Sequence, residues 1–215
     1  MASIVPAILT NDPADYTAKV TTYTKFARRL QIDISDGSFT PQTTIGLDSI
    51  TPIANISLDL HMMVGRPSEH LPKIIAIKPA LVILHAEAGE NLLDVFKELQ
   101  HNDIKVGVAL LKPTFPGRIR PYIDAADHAL IFAGALGQQG GQADLLQIEK
   151  VPLIRSIKKN IEIGWDGGAN MQNVRALGHA DIDIINAGSA IATAEDPAAA
   201  YNALVKESEA RGVKL

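Results

Sequence analysis

Short runs of Val, Ile, Leu and Ala recur along the chain, separated by longer segments in which apolar residues return at helical spacing. A strand of a helix-covered parallel sheet is buried on both faces, so it reads as a nearly unbroken apolar run. Eight runs fit, at residues 3–9, 29–34, 57–62, 80–85, 105–110, 128–133, 161–165 and 182–187. Between them the pattern predicts helices over 68–77, 90–102, 144–160 and 171–178, a weaker one over 118–126, and only a short segment after Gly46. Asp12-Pro13 and Asp196-Pro197 mark two further helix starts, because Asp accepts from free first-turn amides and Pro needs no amide partner at the first helical position.

This strand-helix rhythm runs without a linker or low-complexity tract, which predicts one α/β domain over 1–215, a single (β/α)₈ TIM barrel. An open, doubly wound sheet has the same local pattern and differs only by a reversal of strand order. With 215 residues and 47% hydrophobic content, one large core is within reach. The net charge of −4 offers no basic field for nucleic acid or an acidic membrane surface. No basic, apolar leader opens the chain and no apolar run is long enough to span a bilayer, so a cytoplasmic location is expected. Cysteine is absent, so a metal would have to be held by His, carboxylate or amide oxygen.

In such barrels the chemistry sits at the strand C-terminal ends, which gives weight to polar residues that close an apolar run. The second run ends Gln31-Ile32-Asp33-Ile34-Ser35, and period-two alternation puts Gln31, Asp33 and Ser35 on one face. A carboxylate inside such a strand needs a partner or a task, which singles out Asp33. His61 closes the third run, His85 the fourth and Asp166 the seventh. His85 is expected to buttress the barrel mouth and Glu87 to be solvated. Asp36-Gly37 reads as a turn, and Met62 and Met63 as packing with one facing the site. His70, His101, His128 and His179 fall on helices or at strand N-terminal ends and are expected on the surface.

Glycines supply an independent signal. Gly140-Gly141, Gly167-Gly168 and Gly188-Ser189 follow the sixth, seventh and eighth runs. Exposed amides there can approach phosphate oxygens closely, and barrels commonly bind phosphate in these loops.

Taken together these segments resemble the ribulose-phosphate 3-epimerase family along nearly the whole chain. The resemblance is carried by Val5-Pro6-Ala7-Ile8-Leu9, the stretch from Asp33 to Pro41, Thr44-Ile45-Gly46, the strand from Leu58 to Met63, His85-Ala86-Glu87, Gly140-Gly141-Gln142, Asp166-Gly167-Gly168 and Ala187-Gly188-Ser189-Ala190-Ile191. It implies interconversion of D-ribulose 5-phosphate and D-xylulose 5-phosphate by proton transfer at the carbon beside a ketone. Asp33 and Asp166 would be the acid/base pair. Both would also ligate one divalent ion (zinc, iron, manganese or magnesium) with His61, and Gln31 would occupy the fourth ligand position. A small phosphorylated sugar is the implied partner, with His61 and the six loop residues at 140, 141, 167, 168, 188 and 189 binding it, in a homo-oligomer.

The chain departs from that pattern at its substrate end. Gln31 stands where the family has a histidine, and an amide oxygen is a weaker donor than imidazole, shifting preference toward harder ions. Ala7 replaces a serine, Ser35 replaces a methionine, and 134–139 lacks an Asn-Pro-Gly-Phe run. Besides epimerisation, two readings stay open: another enediolate reaction, such as aldol or decarboxylation chemistry, and a non-catalytic phosphosugar-binding or regulatory role. Decarboxylating relatives carry a lysine near the second-strand aspartate, and none lies between Gln31 and Pro41.

Overall fold

A computed structural model describes residues 1–137 and 140–210; the end of the 134–139 segment, Gln138 and Gln139, lies outside the described residues. All eight predicted strands form: β1 (Ser3–Ile8), β2 (Arg29–Ser35), β3 (Ser57–Met63), β4 (Leu81–His85), β5 (Lys105–Leu110), β6 (His128–Phe132), β7 (Glu162–Asp166) and β8 (Ile184–Ala187). They pair in parallel in chain order, and β1 pairs with β8, closing the barrel. That closure excludes the doubly wound sheet.

The helices are α1 (Pro13–Tyr23), α2 (Leu71–Ile77), α3 (Leu92–His101), α4 (Arg120–Ala125), α5 (Lys150–Ile157), α6 (Val174–Gly178), α7 (Ser189–Ala192) and α8 (Pro197–Ser208). Asp12 accepts from the Ala14 amide at 2.9 Å, and Asp196 from Ala198 and Ala199 at 3.0 Å, as the caps predicted. Several helices are shorter than their apolar pattern. The 144–160 segment opens as a 3₁₀ turn (Leu145–Glu149) before α5, because Pro152 has no N–H for the carbonyl four residues earlier and suits only a first turn. After β2 only a 3₁₀ turn forms (Leu47–Ser49), yet Ile45, Leu47 and Ile50 are buried there and cover the strands as a helix would.

Inward side chains run in layers set by the period of two. On β6 these are His128, Leu130 and Phe132, and on β7 Glu162, Gly164 and Asp166. The middle layer is apolar, with Leu81, Ile83, Ala109 and Leu130 clustered apart from the main core between barrel and helices. A Cβ on Gly164 would fall 2.5 Å from His128 Nε2 and 2.8 Å from Leu130 Cδ1, so this position gives its space to its neighbours.

The layer at the strand N-terminal ends is ionic, and it corrects the surface expectation for His128, which is buried. Arg29 donates to both oxygens of Glu162 at 2.9 and 2.8 Å and to Asp59 at 2.7 Å, and His128 Nδ1 lies 2.8 Å from Glu162. Alternation places His128 inward, directly across from Glu162 in the β6–β7 register.

Burial pushes the Asp59 carboxyl up to about 6 against the pull of Arg29. Burial also disfavours the Glu162 charge, but hydrogen bonds from His128 and Arg29 outweigh it and hold this carboxyl well below the usual range. Asp59 therefore favours the folded state increasingly as pH falls through about 6 toward its unfolded value of 3.8. Glu162 contributes fully above its unfolded value of 4.5 and loses that contribution as pH falls through its depressed folded value. Glu162→Gln should be less stable than the native chain in urea near neutral pH, with the difference closing at strongly acid pH. A difference independent of pH would show that the Glu162 charge does not support the barrel floor.

Candidate active site

At the opposite end of the barrel, β2, β3, β4 and β7 bring the predicted residues together. The β2–β3 register sets Asp33 beside His61. His61 Nδ1 lies 2.9 Å from Asp33 Oδ1 and 3.7 Å from Asp166 Oδ2. Gln31 Nε2 donates to Asp33 Oδ1 at 2.9 Å and to Asp166 Oδ2 at 2.5 Å. Its Oε1 is buried without a partner. Turning the amide over would set an oxygen lone pair against two carboxylates, so the nitrogen faces them.

Behind His61 a second layer holds its ring. His61 Nε2 is 2.9 Å from His85 Nε2, and His85 Nδ1 is 3.6 Å from Glu87 Oε2. Glu87 is not solvated as expected: its Oε1 accepts from the Leu111 amide at 3.0 Å and from the Thr114 hydroxyl. Phe132 packs against both imidazoles and Phe39 against His85. These rings exclude water on that side, which strengthens the polar contacts they cover.

Burial pushes Asp166 up to about 7, reinforced by the Asp33 charge and opposed by His61 and the Gln31 amide. Burial opposes charge on His61, but its bond to Asp33 and the charges of Asp33 and Asp166 raise it above its ordinary value. Burial alone dominates at His85 and lowers it to about 4, so that ring is neutral near pH 7. The site thus holds one carboxyl poised to keep or lose a proton near neutrality.

A pocket opens above this cluster, with Asp33, His61 and Asp166 on one side and Gly140, Gly141, Gly167, Gly168, Gly188 and Ser189 on the other. Gln31 lies outside the lining, behind the two carboxylates. Gly167 and Gly168 have φ of 107° and 73°, and a Cβ on either would collide with backbone, at Gly134 for the first and at Gly141 and Ala143 for the second. Only glycine lets the loops after β6 and β7 pack this closely.

Met63 lines the pocket, whereas Met62 belongs to the core outside the barrel. Ser35 does not reach the pocket, since its hydroxyl donates to the Gln42 carbonyl at 2.7 Å. Asp36 forms the expected turn, accepting from the Ser38 amide at 2.8 Å, and is also 3.2 Å from the half-buried His70. His101 and His179 are exposed as expected. Asn186 on β8 went unmarked by the reading of run ends, although a polar residue inside an apolar run was the signal that singled out Asp33.

Among solved structures, the fold is similar to 3-hexulose-6-phosphate synthase from Salmonella typhimurium, with a TM-score of 0.75, 16% identity, and 96% of this chain and 98% of that one covered. It is also similar to 3-keto-L-gulonate-6-phosphate decarboxylase from Vibrio cholerae, with a TM-score of 0.72, 14% identity, and 97% of each chain covered. At such identities the likeness defines the architecture, a TIM barrel of the kind found in phosphosugar enzymes. Residues 3–192 match the model of the ribulose-phosphate 3 epimerase family. A ribulose-phosphate 3-epimerase from Mycobacterium bovis is 31% identical over 227 residues, covering 99% of this chain and 95% of that protein. The one from Bacillus subtilis is 28% identical, covering 89% and 92%. The chain therefore belongs to the ribulose-phosphate 3-epimerase family, and is an isomerase that epimerises a sugar phosphate. Among the described residues no helix is long and apolar enough to cross a membrane.

Proposed function

We propose that the barrel interconverts D-ribulose 5-phosphate and D-xylulose 5-phosphate, or a close analogue, by two-base proton transfer between Asp33 and Asp166. The observation that carries this reading is the pair itself: two carboxylates bound to one Gln31 amide at 2.9 and 2.5 Å on the wall of one pocket. One carboxylate takes the proton from the carbon beside the ketone while that C–H electron pair moves into an enediolate. The other carboxyl returns a proton to the opposite face, leaving the pair with its protonation exchanged. The raised Asp166 suits it to hold the proton at rest, and His61 and Gln31 keep both carboxylates aimed.

The donor set fits a divalent ion: one imidazole nitrogen and two carboxylate oxygens, from Asp33, His61 and Asp166, lie within 4.8 Å of one another. Gln31 Oε1, buried and unpaired, is a fourth donor once the amide rotates. When bound, such an ion would stabilise the charge that develops on the substrate oxygens. Among the described residues no lysine lines the pocket, which leaves the decarboxylation reading without support. A homo-oligomer in the cytoplasm belongs to the same proposal, carried by family resemblance.

The test is solvent deuterium exchange into D-ribulose 5-phosphate by metal-reconstituted protein, followed by NMR. Deuterium at carbon 3 is expected even where net epimerisation is slow, and a substrate that bound yet gained none would overturn the proposal. For the other end of the ligand, phosphate or sulfate soaked into crystals should bind among the amides of Gly141, Gly168 and Ser189. An anion bound elsewhere, with this pocket empty, would refute the assignment of the glycine loops.

A further inference from the structure

Among the described residues that line the pocket, Asn186 is the one amide with neither polar atom hydrogen-bonded. Its side chain belongs to β8, inside the run Ile184–Ala187, and the residue is only 2% exposed. Its orphaned state does not depend on which way the amide is turned, because Nδ2 and Oδ1 are both unpaired. Nothing in the folding of β8 calls for this residue. Burying an amide without partners is destabilising, and an apolar side chain of the same shape would avoid that cost. Such a local conflict is the mark of a position kept for a ligand.

The chemistry of the missing partner follows from position. Asn186 precedes Gly188 by two residues, so along β8 it lies deeper in the barrel than the glycine loops, on the pocket that Asp33, His61 and Asp166 also line. From the neighbouring strand Ala7 brings only a methyl group to the same pocket. An amide both donates and accepts, which matches a hydroxyl, whereas a phosphate oxygen without a proton only accepts.

We propose that Asn186 is a specificity-determining residue that hydrogen-bonds an oxygen of the carbon chain of the sugar phosphate. The inference rests on the phosphosugar reading above.

The test compares wild type with Asn186→Leu, an apolar near-isostere, by calorimetric titration with D-ribulose 5-phosphate and, separately, with inorganic phosphate, alongside thermal melting. Asn186→Leu is expected to melt at or above the wild-type temperature. It should bind D-ribulose 5-phosphate about 10-fold more weakly or worse, with phosphate affinity unchanged within about twofold. Asn186→Ala should lose the same sugar affinity, showing that the Leu side chain does not simply obstruct the pocket. Unchanged preference for the sugar in both variants would overturn the inference. So would a parallel fall in both affinities, or a lower melting temperature with no change in preference, since each describes a structural residue. A wild type that bound D-ribulose 5-phosphate no better than inorganic phosphate would instead refute the phosphosugar reading, and this inference with it.

Discussion

Asp33→Asn and Asp166→Asn each abolish net epimerisation of D-ribulose 5-phosphate while leaving the barrel folded: this is the largest effect expected of any substitution in the chain. Each replaces a base by an amide of nearly the same shape, and a general acid/base group commonly contributes 10²- to 10⁴-fold, so a loss of about 10³-fold or more is expected. The fold should tolerate the change, because an Asn oxygen can still accept from Gln31 Nε2. Asp166→Asn should even melt at or above the native temperature, since burial and the Asp33 charge already work against a charge at that position. The double variant should lose little more than either single one, as both residues serve one intermediate. Conversion to D-xylulose 5-phosphate followed by NMR, with melting curves as the control for folding, decides the matter. Near-native epimerisation in either variant would mean that the carboxylate removed does not move the substrate proton.

Gln31→His is expected to tighten divalent metal binding by about 10- to 100-fold, the size of effect that changes around a metal site produce. In the native protein the Gln31 nitrogen lies against the carboxylate oxygens of Asp33 and Asp166, which are the groups a cation needs. A cation entering there must displace those hydrogen bonds or wait for the amide to turn over and present Oε1, buried and unpaired as it stands. An imidazole would instead offer a nitrogen lone pair, a stronger donor for zinc and similar ions. Competition titration against a chromophoric chelator, with both proteins side by side, gives the affinity directly. Epimerase activity should rise as well, but Ala7 also shapes the substrate end, so affinity is the cleaner measure. Equal affinities would show that residue 31 does not share the ligand sphere.

The local pattern was enough to read eight strands in order, because a strand buried on both faces cannot be written without an apolar run. The same logic marked Asp33 and Asp166, since a carboxylate closing such a run has few structural excuses. Asp12 and Asp196 announced two helix starts through chemistry contained within a few residues. Closure was different: only the pairing of β1 with β8 separates a barrel from an open sheet, and that contact joins the two ends of the chain. His128 looked like a surface residue until the β6–β7 register set it opposite Glu162, which in turn accepts from Arg29 on distant β2. The direction of the Gln31 amide, the anchoring of Glu87 and the unpaired state of Asn186 were likewise decided by tertiary structure. Periodicity tells which way a side chain points, but whether its polar atoms find partners depends on what distant strands bring to the same place.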